Sequence, residues 1–184
     1  ADSATLDGAT MFHWWNAVLR LVAVRIFIEG AFTPPYLAFA AALHSIPTPQ
    51  PDGSWIWVYT WVQGAERVQI ELRGVPEGDH AYWELRVTNP RAVPTLDRAL
   101  WFSGETQVDN EEGYWLFNDL TDPAFPELAR LEWQVEENGD SEIRLGCVLQ
   151  GSPEYGDRLG LEVKGMDHAV RYHDESERQD FEIT

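Results

Sequence analysis

The chain has 184 residues, enough for one domain with a sizeable core, and its 44% apolar and 12% aromatic content excludes global disorder. Its 31 acidic residues outnumber 13 basic ones, and the formal charge of −18 repels a phosphate backbone, which disfavours nucleic acid and anionic membranes as partners. Lys164 is the only lysine, and an acidic, lysine-poor surface of this kind is expected from a saline or hot habitat.

The opening Ala1-Asp2-Ser3 reads as a processed start, and removal of a leader peptide would imply export. Met11 to Ile28 is the most apolar stretch, but Arg20, Arg25 and Glu29 interrupt it, so no bilayer span is expected. His13, Asn16 and Arg20 fall at helical spacing and favour a helix there. Thr33 then reads as an N-cap, with Pro34 and Pro35 opening a second, alanine-rich helix through Leu43 that Pro47 and Pro49 stop. Residues 1–50 are thus a helical lead within a single domain spanning 1–184.

From Trp55 the period changes to two. In Ser54 to Val62, Trp55, Trp57, Tyr59 and Trp61 share one face and Ile56, Val58 and Val62 the other, which predicts a strand buried on both sides. Val68, Ile70 and Leu72, then Trp83, Leu85 and Val87, alternate with charged residues. The pattern recurs at Leu100–Phe102, Tyr114–Phe117, Leu131–Val135, Ile143–Leu149, Leu159–Val163, Val170–Tyr172 and Phe181–Ile183. Gly78-Asp79, Asn138-Gly139-Asp140, Gly156-Asp157 and Gly165 mark tight hairpins between them. Residues 51–184 are expected to form about nine or ten antiparallel strands in a curved meander or β-barrel, with one or two helices packed on or in it.

Nine tryptophans in one chain suggest a wide core or a ligand cavity. Trp57, Tyr59, Trp83, Trp115 and Trp133 are the candidate pocket residues for an apolar or planar ligand. The competing reading, that these rings only fill the interior, is weighted about two to one ahead. The five histidines, His13, His44, His80, His168 and His173, lack metal-site spacing, and the acidic turns at Asp109–Glu112 and Glu136–Glu142 do not follow a calcium-loop pattern, so no metal or cofactor is expected. Cys147 stands alone without a flanking base and reads as a buried structural thiol. No nucleophile elbow, phosphate loop or HExxH motif occurs, which leaves strand carboxylates such as Glu84 and Glu132 as the one hydrolytic possibility.

Gly53-Ser54-Trp55-Ile56-Trp57-Val58-Tyr59, Trp83-Glu84, Gly104-Glu105, Gly113-Tyr114-Trp115-Leu116-Phe117 and Leu131-Glu132-Trp133 carry a resemblance. The chain, from about Phe12 onward, resembles a family of uncharacterised bacterial secreted proteins and lipoproteins with an apolar helical lead and W-x-W-x-Y strands. The resemblance implies a lipocalin-like curved β fold and a secreted or envelope location, and it implies no activity. Tethering would require a lipid-bearing cysteine before Ala1. The leading expectation is a non-enzymatic envelope protein that binds a hydrophobic small molecule or lipid in a tryptophan-lined barrel. The alternative is a solid-cored structural protein that meets a partner through rim acids such as Glu111 and Glu175.

Overall fold

Strand-forming runs with β-branched and aromatic residues on every second position dominate the computed structural model, which describes residues 33–63, 66–107 and 111–184. Among the described residues a helix, α1 (Thr33–Leu43), precedes eleven strands. These are β1 (Thr48–Pro49), β2 (Trp55–Gln63), β3 (Glu66–Glu77), β4 (His80–Asn89), β5 (Leu96–Gln107), β6 (Glu112–Asn118), β7 (Glu127–Val135), β8 (Ser141–Cys147), β9 (Arg158–Lys164), β10 (Asp167–Asp174) and β11 (Gln179–Ile183). The expected helix over Met11–Ile28 lies outside the described residues. The chain divides into two compact units, Ala1–Leu37 and Ala38–Thr184, and the second carries the whole sheet.

All eleven strands form one antiparallel sheet in sequence order, each hydrogen-bonded to the next. The meander is therefore as expected, but the barrel is not: β1 and β11 do not pair, and the sheet stays open. A two-residue strand such as β1 offers too few backbone groups to close against a distant partner. Hairpins set the register. Gly78, at φ 64°, and Asp79 alone connect the paired residues Glu77 and His80, and Gly165, at φ 58°, with Met166 connects Lys164 to Asp167. A left-handed backbone at those glycines matches the strand twist without a Cβ clash.

The register gives the sheet two unlike faces. On one, Trp57, Leu72, Leu85, Phe102, Phe117, Ala129 and Cys147 form a row across β2 to β8. Leu72 and Leu85 are wholly buried, and each such side chain stabilises the fold by about 1.5–3 kcal/mol relative to exposure. Ala38 and Ala42 of α1 are buried with them, and Phe39 packs edge-on to Trp83, Phe102 and Trp115 at 5.6, 5.9 and 5.4 Å between ring centres. The other face is charged. Arg171 there bridges Glu162 of β9 at 2.7 Å and Glu182 of β11 at 3.4 Å, while Arg98 holds Glu71 at 2.5 Å. Such exposed pairs contribute little each, and their main effect is to keep this face wet.

The strand read as buried on both sides is not. Val58 and Val62 of β2 are exposed, because β2 is flanked outward only by the short β1 and no described element covers its second face. The register of β4 on β5 shifts after Leu85, which pairs with Phe102 while Arg86 pairs with Leu100, so Trp101 is the additional residue of a bulge.

Candidate functional sites on the two faces

Four of the five predicted pocket residues come together on the apolar face. Trp57 lies 6.0 Å from Trp83, and Trp115 stacks on Trp133 at 6.0 Å with 28° between planes. Tyr59 sits on the same face, paired with Ile70, and burial pushes its hydroxyl pKa up. The indole N–H of Trp83 donates to the Thr106 hydroxyl at 3.0 Å, which satisfies the one polar atom of that half-buried ring.

The rings rest on glycine. Gly74 pairs with Trp83, Gly104 with Trp115 and Gly113 with Trp133, each across adjacent strands. A Cβ at Gly74 would meet Cζ3 of Trp83 at 2.8 Å and Cζ3 of Trp57 at 3.3 Å, and one at Gly104 would meet Cε3 of Trp115 at 2.6 Å. Indole thus lies flat over bare backbone, a recognised way for an aromatic to cover a strand glycine. These contacts, with Phe39 above, make this part of the face a packed aromatic layer. Gly74, Gly104 and Gly113 were not foreseen as partners of the rings, since the pairing becomes visible only once the hairpin registers are fixed.

Beyond β6 the apolar face changes. Leu131, Leu145, Leu159, Tyr172 and Phe181 form one cross-strand row over β7–β11, and Trp133, Ile143, Leu161, Val170 and Ile183 form the next. Ile143, Leu161 and Ile183 are 39%, 38% and 49% exposed, far from the burial of the β3–β5 core. The Tyr172 hydroxyl donates to Asp157 at 2.5 Å, which marks a polar border to this strip. Cys147, expected to be buried, is half-buried at the same border, where its N–H donates to the Asp157 carbonyl at 3.0 Å.

The charged face holds an open groove of about 320 Å³ across β4–β8. One cross-strand row brings Tyr82, Glu105, Tyr114, Glu132 and Arg144 side by side, and the next brings His80, Gln107, Glu112, Gln134 and Glu142. Glu105 accepts from His80 at 2.8 Å, Glu112 from Gln107 at 2.5 Å, and Glu132 from Arg130 at 2.7 Å. Arg144 grips Glu142 through Nε and Nη2, both at 2.7 Å, and this pairing raises the arginine pKa. The guanidinium of Arg130 lies 4.4 Å above the Tyr114 ring. The negative charge of Glu105 raises the Tyr82 hydroxyl pKa. Each of these residues reads alone as solvated charge. Glu132 was singled out as a hydrolytic carboxylate, and Glu84, named with it, is held instead by Arg86 at 3.3 Å.

Among the described residues no group of three or more His, Cys, Asp and Glu is placed to hold a metal ion, and no helix is long and apolar enough to cross a membrane. His173 and the rim acid Glu175 meet at 3.1 Å, with Asp180 at 2.7 Å on the other ring nitrogen. The rim acid Glu111 lies in the turn before β6, where its carbonyl accepts from the Val135 N–H at 2.6 Å. No family model, curated protein or solved structure matches the chain.

Proposed function

We propose that the protein is a non-enzymatic binding module, secreted or held at the cell envelope, that takes an apolar small molecule or lipid acyl chain on the β7–β11 end of its apolar face. The supporting observation is the double row running from Leu131 and Trp133 to Phe181 and Ile183, in which Ile143, Leu161 and Ile183 keep 38–49% of their surface in water. Contiguous apolar surface of this kind is costly to leave wet and marks sites of interaction. Its proportions favour a chain-like ligand. Five strands at about 4.8 Å spacing give a length of about 19 Å, while two rows on one face span about 7 Å. The packed aromatic layer of Trp57, Trp83 and Trp115 acts as the rigid wall beside the strip rather than as its lining.

Trp133 supplies the readout, because it pairs with Ile143 at the end of the strip. Titration with a bromine-labelled fatty acid should quench its fluorescence by contact. Leu161→Asp and Ile143→Asp should abolish the quenching, while Val62→Asp, on the exposed second face of β2, should leave it intact. A folded protein whose tryptophan emission is indifferent to the labelled lipid up to its solubility limit would refute this reading.

A further inference from the structure

The groove on the charged face meets the apolar strip only at Trp133 of β7 and differs from it in chemistry. At about 320 Å³ it falls at the low end of the volumes that hold small molecules. Its carboxylates are already held: Glu142 by two bonds from Arg144, Glu132 by Arg130, Glu105 by His80 and Glu112 by Gln107. Much of the rotamer entropy that a ligand would otherwise cost is therefore spent on folding. A carboxylate has about four acceptor positions, so one such bond leaves several for a guest.

Donors and acceptors interleave. Arg144 follows Glu132 in one row, and Gln134 stands between Glu112 and Glu142 in the other, with neighbours about 5 Å apart. Such an array suits groups that both donate and accept, as hydroxyls do. Two of the four glutamates are matched by arginine and two are not, which leaves a mild negative bias that an anionic guest would meet as repulsion. We propose that this groove binds a hydroxyl-rich ligand of sugar size, neutral or carrying one basic group, through Glu105, Glu112, Glu132, Gln134, Glu142 and Arg144.

Calorimetric titration of the full chain with a neutral hexose, an aminohexose, a hexuronate and putrescine tests the proposal. Both sugars without an acid group should bind, the aminohexose more tightly, with the hexuronate weaker by about tenfold, as expected for one unfavourable charge contact. Gln134→Ala and Arg144→Ala should each weaken sugar binding by about fivefold, the size of one lost hydrogen bond. Should either variant misfold, amide shifts of Tyr114 and Gln134 in the unaltered protein provide the same test, since they must move with the sugar. Leu161→Asp should leave sugar affinity unchanged, which separates this site from the strip. The proposal is overturned by the absence of heat and amide shifts with both sugars, by a hexuronate that binds as well as the hexose, or by putrescine binding more tightly than either sugar.

Discussion

Adding one methyl group at Gly104 measures how closely β6, through the Tyr114 carbonyl and the Trp115 ring, packs against that glycine. Gly104 does not have a positive φ, so alanine there meets no backbone strain, and the flexibility argument alone forecasts a gain of about 0.5–1 kcal/mol. The surroundings forbid it. The new Cβ would overlap the Tyr114 carbonyl oxygen and sit 2.6 Å from Cε3 of Trp115. The carbonyl belongs to a hydrogen-bonded neighbouring strand and cannot turn aside, so the cost falls at the upper part of the about 1–3 kcal/mol typical of overpacking. Gly146, on the charged face, is the control: its Cβ would find Asp157 O at 3.8 Å and Arg158 Cγ at 3.9 Å, which are ordinary contacts. Gly104→Ala should therefore lose about 1–2 kcal/mol while Gly146→Ala holds steady or gains, and in a chain of this size each kilocalorie moves Tm by about 2–4 °C. Urea unfolding followed by tryptophan emission measures both, with the m-value confirming that the unfolded reference is unchanged. Equal midpoints for the two variants would refute the close approach of the Tyr114 carbonyl and the Trp115 ring to Gly104.

Thr106→Val removes the acceptor of the Trp83 indole N–H and should cost about 1 kcal/mol in the same unfolding assay, with faster exchange of that indole proton as a local sign. His173 has its pKa raised, chiefly by the hydrogen bond with Asp180 and next by that with Glu175, and it faces Arg158 across β9. Because the shift is upward, its stabilising effect is complete below the ordinary value of 6.5 and is lost as pH rises through the higher folded value; proton-NMR titration of the ring should find a midpoint above 6.5, and a midpoint at or below it sinks the pairing. Asp52 is held down to about 2, first by hydrogen bonds from Ser54 and then by Arg73. This shift is downward, so its contribution is present above the ordinary 3.8 and disappears as pH falls toward 2; Ser54→Ala should move the carboxyl midpoint upward, as carbon-detected titration would record.

The strands were legible because a period of two survives from Trp55 to Ile183, and glycine with aspartate or asparagine punctuates it. Trp55–Gln63 and Arg158–Lys164 match the alternating runs at Ser54–Val62 and Leu159–Val163 almost residue for residue. Closure was not legible. Alternation says that one face seeks cover, whereas closure depends on whether β1 and β11, separated by most of the chain, meet edge to edge. Strand β1 was not foreseen, and its Pro49 was read only with Pro47 as a helix stop, since two residues carry no period. The groove was hidden for a related reason: Glu105, Tyr114, Glu132 and Arg144 are scattered in sequence and become a row only after three hairpin registers are fixed. Trp57, Trp83, Trp115 and Trp133 share one face, but whether a ring lines space or fills it depends on its cross-strand neighbour, and at Trp83, Trp115 and Trp133 that neighbour is glycine.

A sheet in which every strand bonds only to its sequence neighbours behaves like a zipper with a handle at one end. Each added hairpin closes a short loop and leaves the earlier registers untouched, so assembly avoids the slow search for distant edges. Changes in strand number beyond β7 would lengthen or shorten the greasy tail while the indole-paved middle stays the same. The extent of the exposed apolar strip and the integrity of the packed middle can thus vary separately.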